Sequence, residues 1–125
     1  MRVLRLDHLV LTVASIPATS AFYAGLGFQP VTFGDGRTAL AFGDQKINLH
    51  ELEGPYHPKA ARPTLGAADL CFIVRSLEET AEKIAASGIA VEEGPVARTG
   101  AIGPITSIYV RDPDGNLIEF SEYQA

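Results

Sequence analysis

Polar side chains that can bind metal ions stand in four otherwise apolar, strand-like segments of this chain. His8 and Asp69 open two of these segments, Glu119 interrupts a third, and Asn48 and His50 alternate with apolar residues in the fourth. Because successive side chains of a strand point to opposite faces, these polar groups are expected to face away from the apolar side of each strand. A carboxylate in apolar surroundings, as at Glu119, needs a cation or hydrogen-bond donors. The residue types therefore predict a polar sheet face that could bind a divalent metal ion.

The elements that carry these residues occur twice along the chain. Residues 7–31 match residues 68–92 in their pattern of apolar and polar positions, and residues 47–51 match residues 118–122. A serine precedes the helical stretch of each half, where its hydroxyl can cap the free amides of the first turn. A glycine follows each stretch, where a left-handed residue commonly ends a helix. Each half is therefore predicted to begin with a strand and then a helix.

Three further short strands complete each predicted half. They cover residues 28–33, 38–42 and 46–52 in the first half and residues 90–93, 105–111 and 116–123 in the second. The sequence Asp112-Pro113-Asp114-Gly115 is typical of a tight hairpin turn between the last two strands. The extra length of the second half falls in the glycine-rich residues 94–103. Within it, residues 98–103 are expected to be a flexible segment, either a lid that carries Arg98 to an anionic substrate or a mobile surface loop without function.

These elements predict an α+β fold in one domain, residues 1–125. It consists of a first βαβββ module (residues 1–52), a linker (residues 53–66) and a second βαβββ module (residues 67–125). Two such sheets paired in pseudo-twofold symmetry would form a concave cup, and the polar faces would line it.

Composition excludes several classes of protein. The chain has 125 residues, of which 46% are hydrophobic, and a net charge of −5, so a compact soluble domain is expected and nucleic acid is a poor partner. No apolar stretch is long enough to span a membrane or resembles a signal sequence, and a cytoplasmic location is expected. The single cysteine, Cys71, lies in an apolar run and is expected to be a small packed residue.

The sequence resembles the vicinal oxygen chelate superfamily, which contains glyoxalase I, extradiol dioxygenases and bleomycin-resistance proteins. The resemblance rests on residues 6–13 (LDHLVLTV), 22–28 (FYAGLGF) and 111–119 (RDPDGNLIE). It extends to the branch that includes the glyoxalase domain-containing protein 5 group through residues 46–51 (KINLHE), 59–63 (KAARP), 68–71 (ADLC) and 98–101 (RTGA). It implies two βαβββ modules in the glyoxalase/dioxygenase-like fold.

The resemblance also implies a divalent metal ion held by the first and fourth strands of the two modules. His8 and Glu119 match the superfamily's ligand positions, whereas Asn48 and Asp69 stand where glutamate or glutamine and histidine are usual. A set of His8, Asp69 and Glu119 suits Zn²⁺, Ni²⁺, Mn²⁺ or Fe²⁺. If His50 turned inward, it would form with His8 and Glu119 the two-histidine, one-carboxylate triad of non-haem iron oxygenases.

Three functions follow from this resemblance. The first is a glyoxalase I-like lyase or isomerase, in which Glu119, with Asp69 in the mirrored position, transfers a proton on a small molecule with vicinal oxygens. The second is an extradiol-type dioxygenase, and the third is a protein that binds a drug or other small molecule without catalysis. Asn48, Arg98 and Tyr109 are expected in the substrate pocket. A homodimer is expected for a superfamily member of this length.

Overall fold

The computed structural model describes residues 1–124 and divides into two compact units, Met1–Leu65 and a second unit that begins at Gly66. The first unit contains β1 (His8–Val13), α1 (Ile16–Gly25), β2 (Gln29–Phe33), β3 (Arg37–Phe42) and β4 (Gln45–Glu51). The second contains β5 (Asp69–Ile73), α2 (Leu77–Ala86), β6 (Glu93–Thr99), β7 (Pro104–Arg111) and β8 (Leu117–Tyr123). Both units therefore have the predicted strand, helix and three-strand order.

Each unit holds one four-stranded sheet, and the two sheets have the same topology. The strand orders are β1-β4-β3-β2 and β5-β8-β7-β6, with the first pair of each parallel and the others antiparallel. The strand register repeats as well: Val10 pairs with Asn48 in the first sheet, and Cys71 pairs with Glu119 in the second. Matching residues of the two halves therefore occupy the same register positions in the parallel strand pairs of their sheets.

The helices begin at the serines that the sequence indicated. The hydroxyl of Ser15 accepts a hydrogen bond from the amide of Ala18 at 3.1 Å, and the hydroxyl of Ser76 does the same at the start of α2. A glutamate from the last strand of each sheet accepts from the first amide of its helix, Glu51 at 2.9 Å and Glu122 at 2.7 Å. These bonds satisfy amides that a helix start leaves without partners and fix each helix against its sheet.

The apolar core of each unit lies between its helix and one face of its sheet. In the first unit that face presents Leu11, Val13, Leu40, Ile47 and Leu49, all buried. In the second unit α2, with Ile84 fully buried, packs on β7 and β8, whose buried apolar side chains include Ile108, Val110, Ile118 and Phe120. The alternating residues of the same strands must face away from the helix, which leaves the polar positions on the opposite face.

The hairpin turn between β7 and β8 is a buried hydrogen-bond cluster. The carboxylate of Asp112, which is 5% exposed, accepts from the amides of Asp114 and Asn116 at 2.9 and 3.0 Å and from the Asn116 side chain at 2.8 Å. The side chain of Asn116 in turn accepts from the amide of Ala68 at 2.9 Å, just before β5. The most specific sequence motif of the chain therefore holds the turn and the start of β5 together.

Two predictions about individual residues are corrected. Arg98 does not lie in a flexible lid, because residues 93–99 form strand β6 and pair with β7. This strand has seven residues, two more than β2 of the first unit. Cys71 is exposed rather than packed, because it lies on the face of β5 that points away from the helix. Within residues 1–124, no helix has the length and apolar character that crossing a membrane requires.

Candidate functional site

The polar face of the first unit carries His8 and Asn48. His8 is half-exposed, and its Nδ1 lies 2.9 Å from a carboxylate oxygen of Asp7. A carboxylate in this position orients an imidazole ring and leaves Nε2 available to a ligand. Asn48 is 5% exposed, and its side-chain carbonyl oxygen has no hydrogen-bond partner among residues 1–124. A buried oxygen without a donor is costly, so a bound group that supplies one would satisfy it.

The structure does not bring His8 and His50 together. In the parallel pair of β1 and β4, His8 stands opposite Lys46, whereas His50 stands opposite Thr12. The two histidines are therefore offset by four residues along the sheet, which corresponds to about 13 Å. Ligands of one ion lie within a few ångströms of each other, so the triad that combines His8, His50 and Glu119 does not form on this sheet.

His50 instead belongs to a separate group of side chains in the first unit. It is 8% exposed, and its Nε2 lies 3.0 Å from a guanidinium nitrogen of Arg37. Its ring stacks on Tyr56, with the two ring centres 3.7 Å apart. Burial lowers the pKa of His50, and the positive charges of Arg37 and Lys59 lower it further. The Nε2 lone pair faces the Arg37 guanidinium, whose positive charge would also repel a metal cation, so His50 is poorly suited to bind one.

The polar face of the second unit holds Glu119 in a chain of hydroxyl groups. Ser107 donates to a carboxylate oxygen of Glu119 at 2.6 Å, and the hydroxyl of Ser121 lies 3.2 Å from the same oxygen. The two hydroxyls lie 2.6 Å apart, and both serines are fully buried. Because each hydroxyl has one proton, Ser121 donates to Ser107, and not to Glu119, when Ser107 donates to Glu119. These donors stabilise the carboxylate that the sequence showed among apolar residues.

Asp69 and Cys71 share this face with Glu119. Cys71 stands opposite Glu119 in the register of β5 and β8, and Asp69 lies two residues before Cys71. The sulfur of Cys71 is 3.2 Å from the hydroxyl of Ser121. Partial burial raises the pKa of the Cys71 thiol, and the negative charge of Glu119 raises it further. The face thus carries two carboxylates and a protonated thiol.

Tyr109 lies beside Glu119 on the neighbouring strand β7, and Arg98 lies one strand further, on β6. Tyr109 stands opposite Glu119 in the pair of β7 and β8, and Arg98 donates to its hydroxyl at 3.1 Å. Arg98 also contacts the carboxylate of Glu93 at 3.2 Å. Burial raises the pKa of Tyr109, while the hydrogen bond from Arg98 opposes this shift. The side chain of Arg98 is therefore held by Tyr109 and Glu93.

The donor chemistry of the predicted ligands suits a divalent ion, but their grouping is incomplete. One imidazole and two carboxylates match the preferences of Mn²⁺, Fe²⁺, Ni²⁺ and Zn²⁺. Among residues 1–124, no three side chains of His, Cys, Asp or Glu form a group that could hold a metal ion.

Several residues near these sites escaped the sequence analysis. The alternation of β5 and β7 could have placed Cys71 and Ser107 on the polar face with Glu119. Nothing in the sequence indicated that Arg37 and Tyr56 contact His50, because both contacts depend on how the strands and the segment after β4 pack.

Known proteins resemble this chain over nearly its whole length. A virulence protein, STM3117, from Salmonella typhimurium is 58% identical over 95% of this chain and 84% of its own length. A glyoxalase domain-containing protein, RDO1, from Mycosarcoma maydis is 54% identical over 95% of this chain and 68% of its own length. The solved structure of an integron cassette protein from the mobile metagenome of V. cholerae has a TM-score of 0.97 and 55% identity, covering 99% of this chain and 98% of that one.

The sequence profile of one superfamily matches residues 5–120. This match and the two βαβββ units confirm the predicted superfamily and fold, while the narrower likeness to the glyoxalase domain-containing protein 5 group stays a prediction. The chain belongs to the Glyoxalase/Bleomycin resistance protein/Dioxygenase superfamily.

Proposed function

We propose that this protein is a metal-dependent, glyoxalase I-like lyase or isomerase that acts on a small molecule with two adjacent oxygen atoms. The observation that carries the proposal is the buried hydroxyl chain of Ser107 and Ser121, which holds the Glu119 carboxylate on the same sheet face as Asp69. Two carboxylates on one polar face suit proton transfer between adjacent carbons. Membership of the superfamily supports the same assignment.

His8, Asp69 and Glu119 are the proposed metal ligands. The carboxylate of Asp7 supports this role for His8, because it can hold the ring with Nε2 available. A divalent ion bound by these residues would stabilise the negative charge of an enediolate as a Lewis acid. Asn48, with its unpartnered buried oxygen, is proposed to accept a hydrogen bond from the substrate.

The chain's own groups account for proton transfer and orientation. Glu119 takes the proton from one substrate carbon and returns it to the next, while Ser107 fixes the carboxylate oxygen that it contacts at 2.6 Å. Asp69 is the first residue of β5, the position that His8 occupies in β1, and is proposed as a further metal ligand. Arg98, placed by its bond to Tyr109, is proposed to orient an anionic part of the substrate.

A homodimer and a cytoplasmic location belong to the same proposal. The edge strands β1 and β5 expose Val10 (46%) and Ile73 (55%), and an edge strand with exposed apolar residues is suited to contact another chain. Contribution of ligands from two chains would account for the absence of a three-ligand group among residues 1–124. The single cysteine fits a reducing compartment.

Metal analysis of protein purified without chelator is the first test. We expect about one Mn, Fe, Ni or Zn ion per chain, and loss of that ion in His8→Ala and Glu119→Gln. The matched control is Glu82→Gln, a change in α2, which should keep the metal. Protein reconstituted with each ion is then offered a hemithioacetal. Absence of product with every divalent ion would exclude the lyase assignment.

A metal-free binding protein is the second candidate. The neutral amide at Asn48 and the lack of a three-ligand group among residues 1–124 favour it. Protein that contains no metal and takes up none on reconstitution would support this candidate. An extradiol dioxygenase is disfavoured, because the register separates His8 from His50.

A further inference from the structure

The first unit contains a small cavity that the proposed chemistry does not use. Its volume is about 90 Å³, and it lies between the carboxyl-terminal parts of β1 and β4 and residues 52–63, which follow β4. The polar groups that line it include Thr12, His50, Tyr56 and Lys59, with Val10 and Pro63 among the apolar ones. Val10 and Thr12, which both line the cavity, lie two and four residues from His8 along β1, about 7 and 13 Å from this proposed metal ligand.

The hydrogen-bonding state of His50 follows from its neighbour. A guanidinium has donors and no acceptor, so the nitrogen of His50 that lies 3.0 Å from Arg37 must accept. The ring is then neutral and carries its proton on Nδ1. His50 is 8% exposed and lines the cavity, and its Nδ1 is not among the fully buried atoms that lack a partner within residues 1–124, so this N–H is accessible to a group bound there. The tautomer is fixed by Arg37, and the stacking on Tyr56 fixes the ring plane.

The charge around the cavity favours an anion. Lys59 lines it, and Arg37 adds a second positive charge behind His50. Glu51 also contributes to the lining, but its carboxylate accepts from the amide of Ile16 at the start of α1. An N–H donor and an ammonium group in a small cavity require an acceptor, and a cation would be repelled there.

We infer that this cavity binds the carboxylate group of a small organic acid, with His50 and Lys59 as its donors and Arg37 as the residue that positions His50. Lys59 and Arg37 supply two positive charges at the cavity and Glu51 supplies one negative charge, so the remaining charge matches a singly charged carboxylate better than a doubly charged phosphate. Thr12 and Tyr56 offer hydroxyl groups at the same cavity. The inference does not depend on the metal proposal, because no proposed metal ligand lines the cavity.

Acetate titration of the full chain, followed by amide and imidazole chemical shifts at constant ionic strength, tests the inference. We expect saturable shifts confined to the cavity, at residues such as Thr12, His50 and Lys59. Lys59→Met should weaken acetate binding about tenfold or more, since a charged hydrogen bond is worth about 1.5–3 kcal/mol and 1.4 kcal/mol is a factor of ten. Lys59→Arg should keep binding, and Lys83→Met, a lysine of α2, is the matched control.

Each outcome decides the inference. Saturable acetate binding that Lys59→Met weakens and Lys83→Met leaves unchanged supports it, provided that both variants keep the dispersed spectrum of the parent. Shifts that do not saturate, that chloride reproduces, or that persist in folded Lys59→Met overturn it. Tighter binding of inorganic phosphate than of acetate overturns the carboxylate assignment. His50→Gln should also weaken acetate binding, because it removes the fixed donor.

Discussion

Replacement of Asp112 by alanine tests whether the specific turn motif stabilises the fold. The change removes three acceptor contacts, to the amides of Asp114 and Asn116 and to the Asn116 side chain. Asn116 is 1% exposed, so its two donors remain buried without partners. Each such donor costs about 1–3 kcal/mol. Removal of a buried charge offsets part of this cost, so we expect the free energy of unfolding to fall by about 3 kcal/mol.

Urea unfolding followed by circular dichroism measures this loss. With a slope of about 1–3 kcal/mol per molar, the midpoint should fall by about 1–3 M. Asp112→Asn keeps one acceptor oxygen and should cost less than Asp112→Ala. The control is Asp44→Ala, at the exposed turn of the other unit's hairpin, which should change stability by no more than about 0.5 kcal/mol. A loss below about 1 kcal/mol for Asp112→Ala would refute the structural role of the motif.

Three further predictions concern other parts of the chain. His50 should titrate below the ordinary histidine range in NMR experiments, because burial and the charges of Arg37 and Lys59 lower its pKa. The neutral ring therefore stabilises the fold above a pH of about 6.5, the pKa of histidine in an unfolded chain. This contribution is lost as the pH falls through the lower pKa that His50 has in the folded protein. His50→Gln should therefore flatten the acid limb of a stability profile, and titration at or above the usual range would contradict the burial argument. The Cys71 thiol should react with iodoacetamide more slowly than free cysteine at pH 8, because its pKa is raised. The negative charge of Glu119 contributes to this raised pKa, so Glu119→Gln should speed the reaction. Equal rates for the parent and the variant would exclude an effect of Glu119. Ser15→Ala and Ser76→Ala should each cost about 1 kcal/mol in thermal or urea unfolding through loss of a helix cap, and an unchanged stability in both would show that the glutamates alone suffice.

The local order of the fold could be predicted from the sequence. The caps at Ser15 and Ser76, the alternation in β1 and β8 and the hairpin at Asp112 are local signals, and the structure confirms all of them. The segment that contains Arg98 was the exception. Its glycines and proline suggested a loop, but pairing with β7 makes it a strand, because a tertiary hydrogen-bond ladder overrides weak local preference.

The sequence alone determined that the chain repeats one βαβββ unit and that His8, Asn48, Asp69 and Glu119 lie on the face away from the helix. A strand's alternation sets the face of a residue, and the apolar pattern sets which face is buried. Only the tertiary structure decided which side chains on that face touch. The parallel register separated His8 from His50, and packing of the segment after β4 placed Tyr56 on His50. Register and packing join residues distant in the chain, so no local pattern records them.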